Sequence, residues 1–159
     1  MDKVEQLVGK LKMDPIPEEG GWFARKYTSK QAIDGRPVTT SIYALFTELQ
    51  FSALHRLDAD EIFFYQSGCA FQALELLPDG SHRVIVIGPD LEKGHCPQYT
   101  FKRGAWFGGK PVVKADCGYS LLSCVMSPGF VYEGFELGFG EELIENYPDA
   151  ERLIADFVR

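Results

Sequence analysis

Residues 51–68 read FSALHRLDADEIFFYQSG, and this stretch predicts the fold of the chain. Two runs rich in aromatic and aliphatic residues flank a polar turn at residues 57–60, and Gly68 ends the second run. Successive side chains of a strand point to opposite faces of the sheet. We therefore expect His55, in the first strand, and Glu61, in the second, to point into one cavity.

Short strands are predicted along most of the remaining chain. Their approximate ranges are residues 23–29, 39–47, 70–77, 82–88, 96–107, 119–126 and 130–137. Helical spacing occurs only at the ends, over residues 4–12 and from residue 141 onward, where Pro148 begins a second C-terminal helix. Helices confined to the ends favour a β-sandwich or small barrel over alternating strand–helix units. We predict one domain over residues 1–159, with the barrel at about 20–138 and a helical tail at 140–158.

The composition restricts the classes of function. The net charge is -7 and the pI is near 5.0, whereas nucleic-acid binding needs a clustered basic surface. The first residues, MDKVEQLVGKL, carry too many charges for a signal peptide, and no apolar run is long enough to cross a bilayer. We therefore expect a cytoplasmic protein that binds neither nucleic acid nor a membrane.

Four cysteines lie far apart in the sequence, at Cys69, Cys96, Cys117 and Cys124. They form no Cys-x-x-Cys pair, and no secretory signal precedes them. We predict four reduced thiols, each more typical of a small buried residue than of a nucleophile. Cys124 is the best candidate for a site residue, because it alternates within the apolar strand SLLSCVMS.

The residues around His55 carry a resemblance to a known family. His55, the acidic Glu61 and Gly68 at the fixed spacing resemble the first cupin motif, with Leu57 at the position of the second histidine. The chain resembles most closely the DUF985, or cupin-5, family. The matching segments are Glu19 to Phe23, Thr40 to Tyr43, His55 to Ile62, Gly104 to Phe107, Pro128 to Phe130 and Phe135 to Leu137.

This resemblance implies an all-β double-stranded β-helix, the cupin jelly-roll barrel, with short N- and C-terminal helices. Cupin metal sites usually combine three histidines with a glutamate, but here Leu57 and Phe107 occupy two of the four positions. His82 and His95 do not fit the ligand positions and are expected at the surface. We therefore predict no metal and no cofactor.

The catalytic hypothesis consists of one base and two alternative partners. Metal-independent deoxysugar-nucleotide epimerases resemble this family in fold and remove a proton next to a carbonyl. By that resemblance, His55 is the candidate base, with Glu61 or Tyr65 as its partner in an epimerase-like or isomerase-like reaction on a sugar or nucleotide sugar. A buried His55–Glu61 ion pair without catalysis is an equal alternative.

Two further functions stay open. One is a non-catalytic module that binds a sugar, a nucleotide or another small molecule in the barrel. The other is a divalent-metal enzyme in which Gln72 or Gln98 and water complete the ligands His55 and Glu61. The predicted ligand contacts are Tyr43, Phe63, Gln72, Gln98, Trp106 and Cys124, whereas Phe71 and Phe107 are predicted to fill the core.

Three basic residues lie close in sequence to these motifs. Arg25, Lys26 and Arg36 either approach an anionic ligand or carry solvated charges, and solvation is the more common role of such residues.

Cupins that resemble this chain form homodimers through their sheets and N-terminal strands. We expect a homodimer to which residues 22–29 contribute.

Overall fold

The computed structural model describes all 159 residues. Helix α1 (Lys3–Leu11) begins the chain, and α2 (Gly140–Asn146) and α3 (Glu151–Ala155) end it. The strands are β1 (Asp14–Pro15), β2 (Trp22–Thr28), β3 (Ala32–Ile33), β4 (Arg36–Pro37), β5 (Thr40–Thr47), β6 (Ser52–Leu57), β7 (Asp60–Gly68), β8 (Phe71–Leu76), β9 (His82–Ile87), β10 (Gln98–Phe101), β11 (Trp106–Pro111), β12 (Tyr119–Ser127) and β13 (Phe135–Leu137). No helix has the length and apolar character needed to cross a bilayer.

Two antiparallel sheets form the barrel. The first has the strand order β1-β2-β5-β12-β7-β10, and the second has the order β13-β6-β11-β8-β9. Strands β3 and β4 form a separate hairpin. The predicted all-β jelly roll with short terminal helices is therefore confirmed.

The strand register places the two residues of the opening stretch on different sheets. His55 of β6 lies opposite Phe107 of β11 and Leu137 of β13 in the second sheet. Glu61 of β7 lies opposite Met126 of β12 and Phe101 of β10 in the first sheet. The turn between β6 and β7 therefore passes from one sheet to the other, and both side chains enter the barrel from opposite walls.

Aromatic rings fill part of the barrel interior. Phe101 and Phe107 stack with ring centroids 4.1 Å apart, and Phe63 meets Phe101 edge to face at 5.1 Å. Phe71 and Phe107 are buried in this cluster, which confirms their prediction as core residues. These close-packed rings leave no room for a ligand among them, although Phe63 also forms part of a cavity wall.

A second cluster lies outside the barrel, between the second sheet and helices α2 and α3. Trp106 belongs to it and packs with Leu54, Leu143 and other apolar residues. The Arg56 guanidinium also lies 4.5 Å from the centroid of the Trp106 ring. Trp106 therefore does not line the barrel interior as predicted, because its neighbour Phe107 points inward and adjacent residues of a strand face opposite sides.

One cysteine pair forms a disulfide bond. The Cα atoms of Cys69 and Cys117 lie 5.6 Å apart, and their sulfur atoms are bonded. The pairing of β7 with β12 places Gly68 opposite Ser120, which brings the two cysteines together across 48 residues of sequence. The prediction of four reduced thiols is therefore wrong for Cys69 and Cys117, whereas Cys96 and Cys124 are free.

Candidate functional site

A cavity of about 130 Å³ lies in the barrel beside the aromatic cluster, and Phe63 belongs to both. Its walls are mostly apolar, and both sheets contribute to them. The lining residues are Ile16, Pro17, Glu19, Phe23, Arg25, Thr40, Ile42, Ala44, Phe46, His55, Leu57, Glu61, Phe63, Cys124, Met126, Phe130, Tyr132 and Phe135. The cavity therefore contains a few polar groups set in a hydrophobic wall, which is the usual character of a small-molecule site.

His55 has a fixed orientation in this wall. Its side chain is buried, with the ring centroid 4.3 Å from that of Phe107 and 5.5 Å from that of Phe135. Nδ1 lies 2.8 Å from the carbonyl oxygen of Ala53, which can only accept a hydrogen bond. In the neutral ring Nδ1 therefore carries the proton, and Nε2 is the nitrogen that can accept one.

Glu61 is a buried carboxyl whose proton is unusually firmly held. Burial disfavours its charged form, and the negative charge of Glu19 adds to this effect, so that the pKa of Glu61 rises to about 8. No hydrogen bond contributes to this pKa. At neutral pH Glu61 is therefore mostly a carboxylic acid, which can donate a proton or a hydrogen bond to a ligand.

Glu19 joins the other two groups from the turn before β2. Its Oε1 atom accepts a hydrogen bond of 2.6 Å from the hydroxyl of Ser52 and lies 3.9 Å from Nδ1 of His55. Gly21 follows with a φ of +79°, and a Cβ atom there would lie 2.7 Å from the carbonyl oxygen of Leu45. Only glycine allows this close passage of the chain, which holds Glu19 at the cavity.

The sequence did not indicate Glu19 or Ser52 as site residues. Glu19 appeared only as the first residue of a family motif, and its contacts with Ser52 and His55 cross more than thirty residues of sequence. An acidic residue immediately before the pair Gly20 and Gly21 is the one signal that could have drawn notice to it.

Cys124 lines the cavity as predicted for a ligand contact. Burial raises the pKa of its thiol well above the usual value, and the charges of Glu61 and Glu19 raise it further. A thiol that keeps its proton is a poor nucleophile. Cys124 therefore contributes a neutral, polarisable surface to the wall, as Phe63 contributes an apolar one.

Tyr65 lies outside the cavity although it shares the inward face of β7 with Glu61 and Phe63. Its hydroxyl donates a hydrogen bond of 2.7 Å to the carbonyl oxygen of Gly68. It packs against the barrel core beyond Phe63. The prediction that Tyr65 points to the inside of the barrel is therefore correct. Tyr65 lies further along β7 than Glu61 and Phe63, however, and does not reach the cavity that His55 lines.

The remaining predicted contacts also lie elsewhere. Tyr43 packs on the outer face of β5 against the apolar side of α1, with Lys26 5.6 Å from its ring centroid. Gln72 of β8 lies opposite Lys110 and is absent from the cavity wall. Gln98 is exposed at the edge of the first sheet. None of the three reaches the cavity.

The donor set does not fit a cupin metal centre. No three His, Cys, Asp or Glu side chains are grouped in a way that could hold a metal ion. Gln72 and Gln98 lie too far from His55 and Glu61 to complete such a set. We accordingly derive no chemical step through a metal.

Comparison with known proteins identifies the family. The family model described as Cupin superfamily (DUF985) matches residues 5–138. The chain belongs to this cupin family. No curated protein is similar to this cupin in sequence.

Two solved structures resemble this DUF985 cupin over nearly its whole length. A hypothetical protein from Leishmania major is 34% identical, with a TM-score of 0.91 and 99% of each chain covered. A protein from Shewanella oneidensis is 31% identical, with a TM-score of 0.90, and the match covers 100% of this chain and 99% of that one. An E162A mutant of Bacillus subtilis oxalate decarboxylase is 12% identical, with a TM-score of 0.58, and the match covers 91% of this chain and 37% of that one. The last likeness concerns the fold alone.

Proposed function

We propose that this cupin is a metal-independent enzyme that moves a proton next to the carbonyl group of a small molecule. His55 acts as the base, and Glu61 acts as the acid. The observation that carries the proposal is that a protonated carboxyl and an imidazole of fixed tautomer line one apolar cavity from opposite sheets. A buried carboxyl that keeps its proton near neutral pH is typical of the acid in acid–base catalysis.

The chemistry follows from the atoms available. Nε2 of His55 accepts the proton from the carbon next to the carbonyl, and the electron pair of that C–H bond forms the enol double bond. The carbonyl oxygen gains electron density and takes a proton from the Glu61 carboxyl. His55 then returns a proton to carbon, and the Glu61 carboxylate takes back the proton of the enol hydroxyl, so that both groups are restored. Protonation of the same carbon on its opposite face gives the epimer. In an α-hydroxy carbonyl compound, protonation of the former carbonyl carbon, with loss of the neighbouring hydroxyl proton to Glu61, gives the isomer. Glu19, 3.9 Å from Nδ1, stabilises the positive charge that His55 acquires.

The size of the cavity limits the substrate. Its volume of about 130 Å³ is similar to that of an engineered cavity of ~150 Å³ that binds benzene. Typical pockets for larger ligands measure roughly 300–1,000 Å³. The enclosed part of the substrate is therefore about the size of one six-membered ring, and a nucleotide sugar would extend far outside it.

Deuterium exchange tests the catalytic role. Small ketones such as cyclohexanone and 3-methyl-2-butanone are incubated with the protein in D₂O, and loss of the proton signal next to the carbonyl is followed by NMR. We expect His55→Gln to slow this exchange by about 100-fold or more. His82→Gln, which changes a histidine on β9 away from the cavity, should leave the rate unchanged. Equal rates for the wild type and His55→Gln would exclude the proposal.

The pH profile gives a second readout for Glu61. Its acid form is lost as the pH rises through about 8, so the exchange rate should fall above that pH. In Glu19→Gln the neighbouring charge is gone, which lowers the pKa of Glu61, and the fall should begin at a lower pH. A fall that starts at the same pH in both proteins would contradict the assigned coupling.

A non-catalytic binding module is the second candidate, and the predominantly apolar wall favours it. An apolar cavity of this size can hold a small ligand without any proton transfer. Saturable binding of the same ketones with no deuterium exchange, and with equal affinity in His55→Gln, would support this function instead.

A further inference from the structure

Arg25 is the cationic side chain at the mouth of the cavity. It lies on β2 two residues after Phe23, so both side chains share one face of the strand and line the cavity. Arg25 is exposed whereas His55 is buried, which places Arg25 on the solvent side of the cavity. No lysine and no other arginine lines the cavity. A ligand that enters therefore passes one guanidinium group before it reaches His55.

This guanidinium has no acidic partner within the protein. Its one side-chain hydrogen bond goes from Nη1 to the hydroxyl of Thr28 at 3.2 Å. Arg36 and Arg56, by comparison, pair with Asp58 and Glu136 at 2.8 Å and 2.6 Å. Most of the planar donor fork of Arg25 is thus available, and such a fork matches the two oxygens of a carboxylate.

The inner part of the cavity has the opposite polarity. Glu19 and Glu61 bring two carboxyl groups there. Burial, together with the negative charge of Glu19, raises the pKa of Glu61 to about 8, so at neutral pH the negative charge at this end is that of Glu19. A ligand carrying a negative charge would be repelled from this end and attracted to Arg25. One guanidinium balances a single negative charge, whereas a dianion would leave an excess negative charge facing Glu19.

We infer that the ligand of this cavity is a small monocarboxylate with an apolar body and a carbonyl group, whose carboxylate binds Arg25 at the mouth. The carbonyl end then faces His55 and Glu61, and the apolar part fills the space near Phe46 and Phe63. This inference rests on the proposed function for the orientation of the carbonyl. Arg25 thereby selects ligands with one negative charge and determines which end of the ligand faces the mouth of the cavity.

A charge-matched ligand set tests the inference. The probes are 5-methyl-4-oxohexanoate, whose carbonyl is separated from the carboxylate by two CH₂ groups, its uncharged amide and the neutral ketone 2-methyl-3-hexanone, each titrated by ligand-observed NMR. The variants are Arg25→Gln, Arg25→Lys and the control Lys26→Gln. Lys26 is the next residue and is also exposed, but it lies over the Tyr43 ring outside the cavity. Its replacement by glutamine removes the same positive charge as Arg25→Gln.

The inference predicts a specific pattern. Arg25→Gln weakens binding of the acid about tenfold, because one charge-assisted contact is lost. Arg25→Lys has an intermediate effect, and Lys26→Gln has none. The affinity of the neutral ketone changes less than about twofold in every variant. Failure of the acid to bind, equal binding of acid and amide, or equal effects of Arg25→Gln and Lys26→Gln would overturn the inference.

The two proposals fail in different ways. Arg25-dependent binding of the acid without deuterium exchange would support the ligand class and exclude the catalysis. If the neutral ketone undergoes deuterium exchange that requires His55, and the protein binds the acid no more tightly than the ketone, the catalysis would be supported and the ligand class excluded.

Discussion

Leu57 and Glu61 together define the chemistry of the cavity at the scale of single residues. Leu57 stands where the cupin motif has a second histidine, and its buried side chain forms part of the cavity wall. The site therefore gains apolar surface where other cupins have a metal ligand. In this mostly apolar wall, burial is the larger cause of the raised pKa of Glu61.

Protonation of Glu61 should make the stability of the protein depend on pH. Its pKa is raised from 4.5 to about 8, so between these values the folded chain holds a proton that the unfolded chain has released. Stability is therefore highest below pH 4.5 with respect to this group and declines as the pH rises to about 8. The decline is about 1.4 kcal/mol for each pH unit within that window.

Urea unfolding of Glu61→Gln checks this expectation. Glutamine cannot ionise, so the variant should lose less stability than the wild type between about pH 5.5 and pH 7.5, by roughly 2–3 kcal/mol. Glu92→Gln removes a carboxylate at an exposed position and should follow the wild type. Parallel pH dependence of the wild type and Glu61→Gln would show that Glu61 titrates normally.

At the scale of elements, the central strand β11 determines how closely the second sheet packs around the site. Gly108 and Gly109 allow β6 and β8 to approach it on both sides. A Cβ atom on Gly108 would lie 2.6 Å from the carbonyl oxygen of Ser52 and 2.8 Å from the backbone nitrogen of Leu54. These backbone atoms cannot move independently of β6, which carries His55.

Substitution of Gly108 by alanine should therefore disturb the sheet. We expect Gly108→Ala to reduce the free energy of unfolding by about 2 kcal/mol, because the added methyl group overpacks a buried position. Gly118→Ala is the matched control, since a Cβ atom there meets nothing within 4 Å. Chemical denaturation of both variants measures the difference, and equal midpoints would contradict the predicted clash.

At the scale of the whole molecule, the expected homodimer remains a prediction. Two large apolar side chains near the predicted contact are solvent-exposed in the single chain: Tyr27 of β2 by 56% and Ile33 of β3 by 69%. The hairpin of β3 and β4 pairs with no other strand of the chain. These exposed groups extend the predicted contact from residues 22–29 to the adjoining hairpin of β3 and β4.

Sedimentation velocity at micromolar concentration tests this prediction. We expect the mass of a dimer for the wild type and a shift toward monomer for Ile33→Asp, because a buried aspartate would lack a partner. Leu91→Asp changes an equally exposed apolar residue, at 68%, outside the predicted contact and should remain dimeric. A monomeric wild type would refute the expectation.

The local patterns of the sequence predicted the strand content, the barrel and the inward direction of His55 and Glu61. Alternation of side chains along a strand is a short-range property, so it can be recognised without knowing the partner strands. It did not determine which face of β11 is the interior, and Trp106 was therefore placed in the barrel although it lies beneath α2 and α3. Tyr65 shows the same limit along the barrel axis.

The sequence by itself thus determined the family, the jelly-roll fold and four of the residues in the cavity wall, His55, Glu61, Phe63 and Cys124. Only the tertiary structure decided that Glu19 and Arg25 join His55 and Glu61, that Tyr65 and Trp106 do not, and that Cys69 bonds to Cys117. The physical reason is that these contacts connect segments tens of residues apart. Their geometry depends on how the two sheets pair and close, which no local pattern contains.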